Sequence, residues 1–98
     1  MIKVSGYSVF PEEVEAILNK HSAVAQSAVI GVPDPAKGEV VKAFIVLAPS
    51  AELDAPGLVA WARQNMAPYK VPRDVRFVEE LPKSPAGKLL RRLLKDQA

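Results

Sequence analysis

Two apolar segments separated by chain-breaking residues constrain this sequence more than anything else in it. Residues 23–32 are rich in Val, Ile and Ala, and residues 39–47 (EVVKAFIVL) are richer still in apolar side chains. β-Branched side chains stiffen an extended backbone and fit a pleated surface. Residues 31–38 contain Gly31, Pro33, Asp34, Pro35 and Gly38, which interrupt regular structure. The pattern predicts two long strands, antiparallel to one another across that connection. Everything else in the chain must pack on this pair.

The flanking segments supply what can cover it. Residues 2–9 read as two very short strands around the turn-forming pair Ser5-Gly6. Pro11 suits the first position of a helix, and Glu12 and Glu13 suit its positive end. Val14, Ile17 and Leu18 then share one face, and the helix is expected to fade near residues 19–21. Asp54 is a good N-cap for a second helix running to about Met66, with Leu58, Trp61, Ala62 and Met66 as its apolar stripe. Val75, Phe77 and, less regularly, Leu81 suggest a third strand. Two Pro and one Gly among residues 82–87 forbid regular structure there. Leu89, Leu90, Leu93 and Leu94 mark a short last helix with an apolar face. The resulting expectation is an α+β fold: a small, mainly antiparallel sheet of about three strands with helices packed on it, plus a short N-terminal two-stranded hairpin.

Length and composition narrow the rest. Ninety-eight residues make one domain, spanning residues 1–98, and bury roughly 60–65% of the surface the unfolded chain exposes. Apolar residues at 49% and charged residues at 24% describe an ordered, soluble domain. Without Cys and with a single His, neither a disulfide framework nor a thiolate or His-rich metal site is available, and no metal ligand is assigned. The longest apolar run, residues 43–48, is too short to span a bilayer, and no signal-peptide stretch opens the chain. A cytoplasmic protein without a transmembrane segment is expected. The net charge is only +2, yet the last segment concentrates it: Lys83, Lys88, Arg91, Arg92 and Lys95 stand there against one acid, Asp96. A partner of that tail is expected to carry phosphate or carboxylate.

Several motifs fail. Gly87-Lys88 would close a phosphate-binding loop only with Gly at position 82 and Ser or Thr at 89, where Pro82 and Leu89 stand. His21, where the first helix ends, has no neighbouring nucleophile and suits a terminal cap or a surface role. The strand signature of an RNA-reading domain is absent, and the aromatic residues do not interleave with the basic ones.

Two segments stand out together: Ile2-Lys3-Val4-Ser5-Gly6-Tyr7-Ser8-Val9-Phe10-Pro11-Glu12-Glu13-Val14-Glu15, and Leu81-Pro82-Lys83-Ser84-Pro85-Ala86-Gly87-Lys88-Leu89-Leu90-Arg91-Arg92. Between them lie Gly31-Val32-Pro33-Asp34, Gly38-Glu39 and Pro68-Tyr69-Lys70-Val71-Pro72. In this order the segments resemble the C-terminal domain of the adenylate-forming superfamily of acyl-CoA synthetases, adenylation domains and luciferases. The likeness covers essentially the whole chain and is greatest to bacterial-type fatty-acid or acyl-CoA ligases. It implies that the chain is the mobile C-terminal lid of an AMP-forming acyl-CoA ligase, beginning almost at the family's interdomain hinge. The partner would be a large N-terminal domain of the same polypeptide, which binds ATP and the acid. ATP, Mg2+ and CoA would serve the full-length enzyme. None is expected to bind this piece tightly, and the isolated piece is expected to be inactive. The chain ends soon after its last helix, which fits a CoA ligase better than a peptide-synthetase domain. The acid substrate is not written in this segment.

The resemblance assigns the adenylation lysine to Lys88. Attack of a carboxylate on the α-phosphorus brings two anions together and builds charge on the departing pyrophosphate. A preorganised ammonium offsets both. Taken alone, a lysine opening a basic helix is a solvated side chain; the family pattern makes it catalytic. For the thiol step the resemblance places the Ser5-Gly6-Tyr7 turn against the pantetheine arm, with Gly6 leaving room for a narrow tunnel. Lys3 matches a basic position near the nucleotide. Position 8, often Arg in relatives, is Ser8, so no contact is carried over there. Lys70 and Arg73 are candidates for the coenzyme's phosphates, with a plain surface role as the competing account. The alternative from another class is a non-catalytic basic α+β module binding nucleic acid or a protein partner. The acids Glu12, Glu13, Glu15, Glu79 and Glu80 speak against nucleic acid.

Overall fold

The computed structural model describes residues 1–87, 89 and 91–95, the last by its backbone alone. The expected long pair forms as β3 (Val24–Asp34) and β4 (Gly38–Leu47), antiparallel from Val24↔Leu47 to Asp34↔Gly38. Both strands run further than expected, so the connection shrinks to a tight turn. Asp34 closes that turn by accepting the backbone N–H groups of Ala36 (3.1 Å) and Lys37 (2.8 Å). Pro33 lies inside β3 opposite Glu39. That is permitted because β3 is the outer strand, where a missing N–H costs no ladder bond.

Among the described residues the sheet has five strands. β1 (Ile2–Val4) and β2 (Tyr7–Val9) form the hairpin, and it joins the main sheet: Val4 pairs with Gly38, and Ser5 N–H donates to the Lys37 carbonyl (2.9 Å). The third expected strand is β5 (Asp74–Phe77), which pairs in parallel with β4, Lys42↔Asp74 to Ile45↔Phe77. β1 and β5 therefore share the edge of β4 opposite β3. Leu81 is not in a strand; it is buried beyond β5 on the other face.

Helix α1 (Pro11–Leu18) starts with Pro in its first turn and with Glu12 and Glu13 at its positive end. Its buried side is Val14, Leu18 and, unusually for a carboxylate, Glu15. Helix α2 (Ala55–Asn65) is capped by Asp54, whose carboxylate accepts the Gly57 N–H at 2.8 Å. Leu58 and Ala62 are fully buried, with Trp61 and Met66 packed partly against them. Trp61 meets the His21 ring edge-on at 5.0 Å, and His21 Nδ1 accepts the Ala23 N–H, a bond within the turn that leads into β3. A 3-10 turn (Pro68–Lys70) leads to β5. Helix α3 (Arg91–Lys95) does not include Leu89, which lies in a bridge to Lys83. Leu94 is buried and Leu89 half-buried, Leu93 is exposed, and Leu90 lies outside the described residues.

Strand alternation sends side chains to two cores. Val29, Val41, Ala43 and Ile45 face α1, α2 and the hairpin residues Ile2, Val4 and Val9. Ala28, Ile30 and Phe44 face the other way, under Leu81 and Leu94. Among the described residues every buried side-chain polar atom has a partner.

Candidate functional site

The residues singled out by sequence sit at two places. The first is the hairpin. Ser5 and Gly6 both have positive φ, 51° and 88°, as a hairpin turn that follows strand twist requires. A Cβ on Gly6 would meet nothing within 4 Å. Within this chain glycine is therefore needed for its backbone angle, not for room; any crowding it relieves must come from a partner. Lys3, opposite Ser8 in the ladder, donates from Nζ to Ser8 Oγ at 2.9 Å, and its backbone N–H donates to Glu39 Oε1 at 3.0 Å. Tyr7 is 57% exposed and stacks on Tyr69 with ring centroids 4.4 Å apart and planes 15° from parallel. Lys70 lies beside the Tyr69 ring and pairs with Glu13. Its amine is held above the ordinary lysine value of 10.5, chiefly by the hydrogen bond to Glu13.

Near the same turn, Lys37, Arg63 and Arg73 line an open hollow of about 500 Å³ floored by Val59, Pro68, Val71 and Pro72. The sequence reading named Arg73 there but missed Lys37 and Arg63, which only the fold brings beside it. Three cations around one depression suit a phosphate-bearing group. Among the described residues no cluster of acids or His is arranged to hold a metal ion.

The second place is the loop after Leu81. Lys83 and Leu89 form an antiparallel bridge that closes its base. Inside it Gly87 N–H donates to the Ser84 carbonyl at 2.8 Å, and Gly87 takes φ 84°. Lys83, Pro85, Ala86 and Gly87 are exposed. Lys88 lies outside the described residues. The loop hangs from the second core through Leu81 and Leu94, whereas the hairpin is anchored in the first.

The sequence reading also missed a partly buried ion pair at the foot of this loop. Arg91 donates from Nε and Nη2 to the two carboxylate oxygens of Glu15, and its Nη1 lies 3.3 Å from Glu12 Oε1. Glu15 Oε2 also accepts the Val29 N–H at 2.7 Å. One signal was available: Glu15 falls within the apolar face of α1, between Val14 and Leu18.

The family model described as the AMP-binding enzyme C-terminal domain matches residues 13–88. The chain belongs to this family. AMP-binding enzymes similar to it include a long-chain-fatty-acid–CoA ligase of Bacillus subtilis, 47% identical over 97 residues. The human mitochondrial acyl-coenzyme A synthetase ACSM1 is 51% identical over 100 residues. These alignments cover 99% and 97% of this chain but only 17% of either relative, so the chain spans about a sixth of the length of the curated proteins it matches. Among solved structures, the acyl-CoA synthetase of Brucella canis superposes with a TM-score of 0.92 at 43% identity, over 98% of this chain and 18% of that one. The amide bond synthetase McbA of Marinactinospora thermotolerans gives 0.93 at 40% identity, over 98% of this chain and 19% of that one. The family's C-terminal domain fold is thus the α+β arrangement described above. No helix among the described residues is long and apolar enough to cross a membrane.

Proposed function

We propose that residues 1–98 are the mobile catalytic lid of an AMP-forming acid–thiol ligase, acting with a large ATP- and acid-binding domain of the same polypeptide in the cytoplasm. The reaction class is fatty acid–CoA ligation. The observation that carries this reading is the loop closed at its base by the Lys83–Leu89 bridge, with Lys83, Pro85, Ala86 and Gly87 exposed, in a segment that the family match follows as far as residue 88.

In the first half-reaction a substrate carboxylate oxygen bonds to the α-phosphorus of ATP, the bond to the bridging oxygen breaks, and pyrophosphate leaves. Lys88 supplies the ammonium that lets the two anions approach and offsets the charge on the leaving group. Lysine suits this as a compact point charge on a flexible stem. Mg2+ belongs to the same step and is assigned to the large domain. In the second half-reaction the lid turns, the coenzyme's thiol gives up its proton to solvent, and its sulfur bonds to the acyl carbon as the bond from that carbon to the phosphate oxygen breaks and AMP departs. Gly6, Lys3 and Tyr7 are the residues proposed to face the coenzyme. The cations Lys37, Arg63 and Arg73 suit its phosphates. That the hairpin and the loop are rooted in opposite cores supports a lid that presents different surfaces in the two steps.

In the complete enzyme, Lys88→Ala is expected to slow acyl-adenylate formation on the order of a hundred- to a thousandfold. Thioester formation from preformed adenylate is expected to continue. Pyrophosphate exchange measures the first and CoA consumption the second; equal loss of both would remove Lys88 from the assigned role.

A further inference from the structure

We propose that Glu15 and Arg91 are positioning residues for adenylation, a two-residue latch that sets where loop 82–89 delivers Lys88. This rests on the reading of Lys88 given above. Arg91 opens α3 three residues past Lys88. A five-residue helix has no stability of its own and is held by what it touches. The apolar part of that hold is Leu94, 1% exposed, with Leu89 partly packed beside it. The polar part is the guanidinium fork on Glu15.

Glu15 is itself fixed from two sides. It projects from the middle of α1, and its Oε2 takes the Val29 N–H at 2.7 Å. Val29 belongs to β3, the outer strand, so that N–H points away from β4 and would otherwise lack a ladder partner. The carboxylate therefore wraps the free edge of the sheet. It joins α1, packed on one face, to α3, packed on the other. The side chains are 12% and 29% exposed, and the pair is bidentate, so its geometry is far better defined than that of a surface pair.

The same contacts assign Arg91 to positioning rather than to substrate. Its Nε and Nη2 are committed to Glu15 and its Nη1 to Glu12, so its charge is already offset on two sides. Its neighbour Arg92 is exposed. Moving a reacting group by about 1 Å costs up to roughly a hundredfold in rate. Loosening the latch should therefore act on the turnover of adenylation and leave its KM for ATP in place.

A double-mutant cycle in the complete enzyme tests this. Arg91→Ala is expected to lower kcat for adenylation roughly ten- to a hundredfold, with little change in the thioester step. In a Lys88→Ala background it should cost nothing further, because the group it positions is gone. Arg91→Lys keeps the charge without the fork and should fall between. Glu15→Gln keeps an acceptor for Val29 and should match Arg91→Lys; these two milder variants carry the test if Arg91→Ala does not fold. The proposal is overturned if Arg91→Ala or its milder substitutes slow both half-reactions alike, or slow adenylation by the same factor with and without Lys88. If Lys88→Ala alone spares adenylation, the reading of Lys88 fails first and the latch with it. If Lys88→Ala slows adenylation while the latch variants do not, only the latch fails.

Discussion

The two faces of the central sheet are built differently. One is sealed by two helices and the hairpin, and Val9, Val14, Leu18, Ala43, Leu58 and Ala62 are all fully buried there. The other is covered by an irregular segment and a five-residue helix, with Leu81 and Leu94 as the main apolar anchors over Ala28, Ile30 and Phe44. The first face carries the weight of folding. The second is a seat, deep enough to hold a segment and shallow enough for its tip to stay in solvent. A lid that must bring one side chain into a partner's active site and withdraw it needs both: a scaffold that does not deform and an appendage whose placement rests on a few contacts.

That comparison can be broken most forcefully on the scaffold face. Leu18→Ala should cost about 2–5 kcal/mol, a large share of the roughly 5–15 kcal/mol a domain possesses. Thermal unfolding should show one cooperative transition moved well down. Leu94→Ala removes the same atoms from a site of equal burial, but the short helix above it can collapse into the space, so about 2 kcal/mol is expected. The sharper difference is in kind. Hydrogen exchange should rise over residues 81–95 in Leu94→Ala and leave α1 and α2 protected. Equal, global losses from both substitutions would abolish the distinction between scaffold and seat.

Smaller effects sharpen the picture of the hairpin. Tyr7→Ala removes a stacked ring from an exposed site and should cost about 0.5–1.5 kcal/mol by denaturant titration, with no change in the adenylation rate. The surface pair of Lys70 and Glu13 should contribute least. Its sign is fixed by the raised lysine: the contribution is fully present below the ordinary value of 10.5 and disappears as pH climbs through the higher folded value. Lys70→Met should therefore melt slightly below the parent at pH 8 and together with it in strong alkali. A gap that widened with rising pH would contradict the assigned cause.

How much of this was legible in the sequence differs between the same regions. The long strand pair, α1 and α2 follow from local signals: alternating Val and Ile, a Pro at a helix start, Asp54 at a cap. The extent of β3 did not, because Pro33 reads as a breaker until the strand is known to be an outer one. Nor did the parallel pairing of β5, since four residues carry no sign of which neighbour they will find. Leu81 looked like strand and proved to be an anchor for the second core. The Glu15–Arg91 pair joins residues 76 positions apart, and only the local oddity of an acid on an apolar face pointed to it. For the candidate site the balance is reversed. Lys88 and Gly6 are ordinary residues on physical grounds, and the ordered family pattern singled them out. The structure then added what the pattern lacked: the positive φ of Gly6, the open space around it, and the cations beside Arg73.

The open space changes how the site must be tested. At φ 88° any side chain at position 6 is strained, so Gly6→Leu alone mixes backbone cost with bulk. Gly6→Ala carries the strain with far less volume and is the proper control. The decisive measurement is the pair of single-turnover half-reactions in the complete enzyme for Lys88→Ala and Gly6→Leu side by side, each against its parent and the latter also against Gly6→Ala. A crossed pattern is expected, with Lys88→Ala failing in adenylation alone and Gly6→Leu failing in thioester formation alone. If the two substitutions depress the same half-reaction, the chain is not a lid that offers its loop to one step and its hairpin to the other.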